Sequence, residues 1–169
     1  MRVLGIDPGS QSTGFGIIDH DETRYKVRAF GTIKPSRRLP FHLKLNEIAR
    51  GVEEIIVAHS PDEVAIESPF YAQNIKTAIA LGQVRGAVLV AVASTGRPLA
   101  EYSALEIKKA VTGYGRAEKQ QVNTMVKALL NVEEEVETDA SDALAAAICH
   151  LNTRMFQKSV EESAAGGKR

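Results

Sequence analysis

The chain of 169 residues carries 21 Lys and Arg against 21 Asp and Glu, is 44% hydrophobic, and holds one cysteine, Cys149. These values exclude wholesale disorder, an intrachain disulfide framework and a Cys-based zinc finger, and the length fits one domain. Arg2 follows Met1 directly and no contiguous apolar run reaches spanning length, so a cytoplasmic protein without signal peptide or membrane span is expected. Val3 to Asp7 is a short apolar strand stopped by Pro8-Gly9-Ser10, and Gly14–Asp19 and Tyr25–Lys34 read as two more strands of an antiparallel meander. A basic loop, Pro35 to Pro40, leads to Leu45, Ile48, Val52, Ile55 and Ile56 at helical spacing, ending near His59-Ser60-Pro61. Glu63 to Glu67 is a short buried strand. Asn74 to about Ser94 is a long helix with Gly82 and Gly86 on one face, and Leu99–Tyr102 is a fifth strand.

Ser103-Ala104-Leu105-Glu106 opens a short helix with a capping box, and Gly113 stops it. Ala117 to Leu130 is amphipathic, and a last helix runs from Asp139 to about Met155. The order β-β-β-α-β-α-β-α-α-α predicts an α/β domain over residues 1–156, a mixed five-stranded sheet flanked by helices. Residues 157–169, with Ala-Ala-Gly-Gly, read as a disordered tail.

The neutral total hides a strong segregation of charge. Residues 24–50 hold eight Lys and Arg against one acid, Glu47, while residues 51–73 hold five acids and no base. Residues 131–150 hold six acids and no base, and residues 97–130 are again basic. Basic and acidic surfaces side by side are expected.

Four of the acids stand where structure alone does not call for them. Asp7 and Glu67 each end an apolar strand, and Asp139 and Asp142 begin an Ala-rich helix, three apart and so on one face. Taken singly, Asp7 also fits a turn with Pro8-Gly9, Glu67 a salt bridge, Asp139 a helix cap and Asp142 a helix-dipole partner. Taken together, four converging carboxylates repel unless divalent cations neutralise them. Hard oxygen donors favour Mg²⁺ or Mn²⁺, and two such ions would clamp the attacking and leaving oxygens of a phosphoryl displacement. His150, eight residues past Asp142 and roughly 12 Å along the helix, is not a candidate ligand.

Several motifs in order resemble the RuvC family of crossover-junction endodeoxyribonucleases over about residues 1–155. They are Leu4-Gly5-Ile6-Asp7-Pro8-Gly9-Ser10 with Thr13-Gly14, Ile66-Glu67 followed by Phe70, and Leu81-Gly82-Gln83-Val84-Arg85-Gly86. Glu101-Tyr102, Lys108, Gly113, Ala117-Glu118-Lys119-Gln120 and Asp139-Ala140-Ser141-Asp142-Ala143-Leu144-Ala145 complete the set. The resemblance implies an RNase H-like fold and a homodimer that nicks four-way (Holliday) junction DNA symmetrically, in recombination and repair. It implies Mg²⁺, two ions per site with Mn²⁺ as a substitute, and a RuvA–RuvB branch-migration complex as partner. It places the catalytic, metal-binding acids on Asp7, Glu67, Asp139 and Asp142, catalytic basic residues near the scissile strand on Lys108 and Lys119, and a base-stacking aromatic on Phe70. Tyr71 is an extra aromatic beside it, and Pro69 departs from the family pattern. Arg37, Arg38, Lys76, Arg85 and Arg116 are candidate phosphate contacts.

Gly82 and Gly86 fit either a two-fold dimer axis or tight packing on the chain's own sheet. The rival readings are an actin-like ATPase module, from the likeness of Asp7-Pro8-Gly9 with Gly14 to a phosphate loop, a non-catalytic junction-binding protein, and an RNA–DNA hybrid hydrolase.

Overall fold

The structure, a computed structural model, describes residues 1–21, 23–68 and 74–166. Its elements are β1 (Arg2–Asp7), β2 (Thr13–His20), β3 (Tyr25–Ile33), α1 (Phe41–His59), β4 (Glu63–Glu67) and α2 (Ile75–Ser94), then β5 (Leu99–Tyr102), α3 (Ala104–Thr112), α4 (Lys119–Leu130) and α5 (Thr138–Gly166). This is the order the sequence predicts. The sheet runs β3-β2-β1-β4-β5. β1, β2 and β3 form the antiparallel meander, and β4 and β5 run parallel to β1.

Strand alternation sorts the core into two layers. Leu4, Ile6, Val64 and Ile66 point to the side covered by α1 and α2, where they meet Ile48, Val52, Val84 and Val88. Val3, Ala65 and Tyr102 point to the other side, where Leu144, Ile148, Val122 and Ile107 cover them. With helices on both faces, β1 and β4 carry no polar side chains between their first and last residues. The alternation carries Asp7 (with Val3 and Gly5) and Glu67 (with Ala65) onto the α5 side.

α5 lies directly on the sheet backbone, and glycine makes that possible. A Cβ on Gly5 would stand 1.9 Å from the Ala143 carbonyl oxygen, and one on Gly14 would stand 1.9 Å from that of Asp139. The start of α5 is thereby pinned over β1 and β2. From Ala143 to Leu151 the helix is buried on all sides between the sheet and α3 and α4.

Beyond shifts of one residue, two helix ends and the reading of one apolar segment differ from the sequence. α4 begins at Lys119 because Ala117 is drawn into the core at 1% exposure and Glu118 caps the helix. α5 continues past Met155 to Gly166, through much of the expected tail, because no Gly or Pro interrupts residues 143–165. α2 is, by length and composition alone, apolar enough to cross a membrane, where no such run was expected; Lys76 and Arg85 break the contiguous apolar run without offsetting its average. The capping box of α3 is as expected: Ser103 N–H donates to Glu106 at 2.8 Å, Glu106 N–H returns to Ser103 Oγ at 3.3 Å, and Gly113 closes the helix at φ 83°.

Candidate active site

β1 and β4 are paired neighbours, with Ile6 opposite Ile66, so Asp7 and Glu67 emerge side by side from the sheet. The turn after Asp7 is held by Thr13, which is fully buried; its hydroxyl donates to the Gly9 carbonyl at 2.9 Å and accepts the Gly9 N–H at 3.3 Å. Asp139 and Asp142 arrive from above on the first turns of α5. A cleft of about 270 Å³ is lined by Asp7, Pro8, Glu67, Ser68, Leu81, Arg85, Lys119 and Asp142, with a smaller one beside it against Lys108.

The electrostatics are those of crowded acids leaving water. Burial pushes the Asp7 carboxyl up to about 7, and the charges of Asp142, Glu67 and Asp139 push the same way against a small opposing pull from Lys119. Glu67 and Asp142 are raised for the same first reason, burial; Lys119 and Lys108 oppose the rise in both. Lys119 Nζ lies 2.8 Å from the Asp142 carboxylate. Burial on its own would lower that ammonium, but the bond to Asp142 and the charges of Asp142, Asp7 and Asp139 raise it. In this arrangement no group of three His, Cys, Asp or Glu side chains among the described residues is set to hold an ion. Lys119 is the local cation.

Arg85 holds the end of β4 in place. Its guanidinium donates to the Glu67 carbonyl oxygen at 3.1 Å and to the Glu101 carboxylate on β5, and its side chain is only 14% exposed. The sequence offered it as a phosphate contact, but here it is committed within the fold. Lys76 and Arg116 are exposed, whereas Lys108 is half-buried on α3 facing the cleft acids. Phe70, Tyr71 and Pro69 lie outside the described residues. His150 is far from the acids: its Nδ1 meets the Tyr102 hydroxyl at 2.8 Å and its Nε2 meets Glu63 at 2.8 Å, and Arg154 closes the chain at 3.0 Å from Glu63. A larger groove, about 1240 Å³, opens at the opposite end of the sheet around Arg2, Asp19, Tyr25 and Asn131 and contains none of the cleft acids.

The sequence model of the family described as "Crossover junction endodeoxyribonuclease RuvC" matches residues 3–150. The chain belongs to the RuvC family. The RuvC of Geobacter sulfurreducens is 48% identical over 157 residues, covering 93% of this chain and 96% of the relative. Among solved structures, Thermus thermophilus RuvC in complex with a Holliday junction substrate superposes with a TM-score of 0.86 at 31% identity, over 92% of this chain and 96% of that one. The yeast mitochondrial Holliday junction resolvase Ydc2 shares the fold at a TM-score of 0.63 and 11% identity, over 87% and 77% of the two chains. The fold is thus the RNase H-like fold expected from the RuvC resemblance, and membership of this nuclease family carries divalent-metal dependence with it.

Glu101 and Thr13 are the structural supports that the sequence reading did not assign. Both stand inside recognised motifs, but their partners lie 16 residues away for Glu101 and are backbone atoms for Thr13. Side-chain type alone does not disclose either.

Proposed function

We propose that this protein is a structure-selective endonuclease that resolves four-way DNA junctions by paired symmetric nicks, through metal-assisted hydrolysis of a phosphodiester. The observation that carries this reading is Asp7 and Glu67 at adjacent strand ends beneath the Asp139/Asp142 pair of α5, within a chain that matches the RuvC family over residues 3–150. The donor set is entirely carboxylate oxygen, and the raised affinity of Asp7 for a proton is the mark of acids waiting for a cation. These residues fit two Mg²⁺ ions, with Mn²⁺ as a substitute. Asp7, Glu67, Asp139 and Asp142 are the residues that would hold them. Bound there, the ions supply activation of the attacking water and charge compensation at the departing 3′ oxygen.

The chain's own groups do the rest. Asp142, paired with Lys119 at 2.8 Å, would be one of the residues holding the metal, and the Lys119 ammonium, with Lys108, would stabilise the charge of the transition state at the phosphate. Arg85 fixes the backbone that presents Glu67. Phe70, with Tyr71 beside it, stacks on a base at the junction, while Lys76 and Arg116 contact phosphates from the rim.

The working form is a homodimer. Ile75, Ile79, Gly82, Gly86, Val90 and Ala93 follow one another at spacings of three and four along α2. Ile75, Ile79 and Val90 are 79%, 57% and 70% exposed. A Cβ on Gly82 or Gly86 would meet nothing within 4 Å, so these glycines do not serve packing on the chain's own sheet. An apolar stripe with a smooth centre suits a second copy across a two-fold axis, which also gives two sites for two strands. A cytoplasmic location and engagement by a RuvA–RuvB branch-migration complex belong to the same reading.

The test is a mobile synthetic four-way junction with Mg²⁺. Paired symmetric nicks bearing 5′-phosphates, with a linear duplex left intact, are expected. Nucleotide hydrolysis without DNA, or cleavage of hybrid duplexes alone, would refute the assignment.

A further inference from the structure

The loop between β3 and α1 stands at the same end of the sheet as the acids. Asp7 pairs with Gly14, and Gly14 pairs with Thr32, so the three lie in one line across β1, β2 and β3. Two strand spacings put the Thr32 backbone about 10 Å from that of Asp7. The chain then leaves the sheet and turns through residues 34–40.

That turn is built, not loose. Thr32 Oγ1 and Lys34 Nζ both reach Glu137, at 3.4 and 2.5 Å, and Glu137 stands two residues before Asp139. Pro35 is buried, and the Ser36 N–H donates to the Glu47 carboxylate of α1 at 2.9 Å. Leu39 N–H donates to the Ser36 carbonyl at 3.2 Å, which closes a four-residue turn. Arg37 and Arg38 are its two central residues, both exposed, and among the described residues no acid pairs with either. Other basic residues of this segment are neutralised: Arg28 by Asp19, Arg50 by Glu54, Lys34 by Glu137. Two guanidiniums fixed by prolines and tethers, left unpaired, and set at the catalytic edge have little structural use there. They suit repeated phosphates.

We propose that Arg37 and Arg38 form a backbone clamp for duplex DNA, gripping phosphates of a junction arm on the β3 side of the scissile bond. Lys108 and Lys119 line the cleft on the opposite side of Asp7, with Glu67, so the clamp completes a basic track on both flanks of the acids. The inference rests on the junction-nuclease reading and adds a ligand surface to it. The tether through Glu137 links this surface to the start of α5.

The test compares R37A/R38A with R24A/K26A, which removes the same charge from the far end of β3, about eight residues or 25 Å away. Binding to a four-way junction and to a linear duplex is measured against salt. R37A/R38A is expected to bind both about tenfold more weakly at low salt, with the log–log salt slope reduced by up to about 1.8. R24A/K26A should match wild type in both binding measurements. An unchanged slope in R37A/R38A, or an equal change in both pairs, overturns the clamp. Failure of wild type to nick the junction overturns the parent reading alone, because the duplex-binding comparison still decides on the clamp.

Discussion

Asp7→Asn should stabilise the metal-free protein while abolishing cleavage. Burial and three neighbouring acids raise the Asp7 carboxyl from 3.8 to about 7 in the folded state. A folded value above the unfolded one means that this group's contribution to stability is full below about pH 4 and is lost as pH rises through 7. Roughly three pH decades at about 1.4 kcal/mol each set a ceiling of about 4 kcal/mol on the strain that an ionised Asp7 puts on the fold. Asn keeps the shape and removes the charge. The stability difference between D7N and wild type should therefore be near zero at pH 4, grow between pH 4 and 7, and level off above pH 7. A plateau of about 2–4 kcal/mol corresponds to a Tm gain of roughly 4–16 °C for a chain of this size. Thermal melts in EDTA across that pH range measure it, and adding Mg²⁺ should raise the wild-type Tm while leaving D7N nearly unmoved. A D7N protein less stable than wild type at pH 8 in EDTA would refute the electrostatic account of the cleft.

Gly14→Ala should displace the first turn of α5, because its Cβ would enter the Asp139 carbonyl oxygen at 1.9 Å; we expect several kcal/mol of destabilisation and loss of cleavage, read by circular dichroism melts and nicking assays. Tyr102→Phe leaves the buried His150 Nδ1 without its 2.8 Å partner. It should cost about 1–3 kcal/mol in melts and leave cleavage at low temperature unchanged, since only the hydroxyl facing His150 is lost and the backbone pairing of Tyr102 with Glu67 is kept. Cys149 is buried at 3% exposure and its thiol is pushed up to about 12, mainly by burial. A thiol reagent at pH 8 should therefore label it only as fast as the protein unfolds.

Much of the site was legible in the sequence because the period of each element is short. Period two puts Asp7 and Glu67 on the same side as Val3 and Ala65, and a spacing of three puts Asp139 and Asp142 on one helical face. Strand order is a longer-range matter, and no local period dictates the pairing of β1 with β4. What stayed hidden depends on contacts between elements. That Gly5 and Gly14 are the seats of α5 is visible only when the helix is laid on the sheet. Arg85 reads as a surface cation until Glu101 and the Glu67 carbonyl are found around it. The full length of α5 is not legible either, because its apolar pattern fades near Met155 whereas its backbone ladder runs on to Gly166, the last described residue.

The neutral charge total now has a definite meaning for DNA binding. The acids of the cleft face the same side as the cations that flank it, so metal-free protein both attracts and repels a phosphate backbone. Two divalent ions would take the protomer from a formal charge of zero to +4. Removing the charge of Asp7 alone should reproduce part of that change without metal. One unit charge about 8 Å from a phosphate, at an effective dielectric near 40, is worth about 1 kcal/mol, or roughly fivefold in affinity. Because Asp7 titrates near 7, the gain must be pH-dependent. In EDTA, D7N should bind a four-way junction as wild type does at pH 6 and about fivefold more tightly at pH 8.5. Gel-shift titrations at the two pH values decide the matter. Weaker binding by D7N at pH 8.5 would mean that Asp7 contacts DNA through something other than its charge, and the division of the site into an acidic centre and basic flanks would fall.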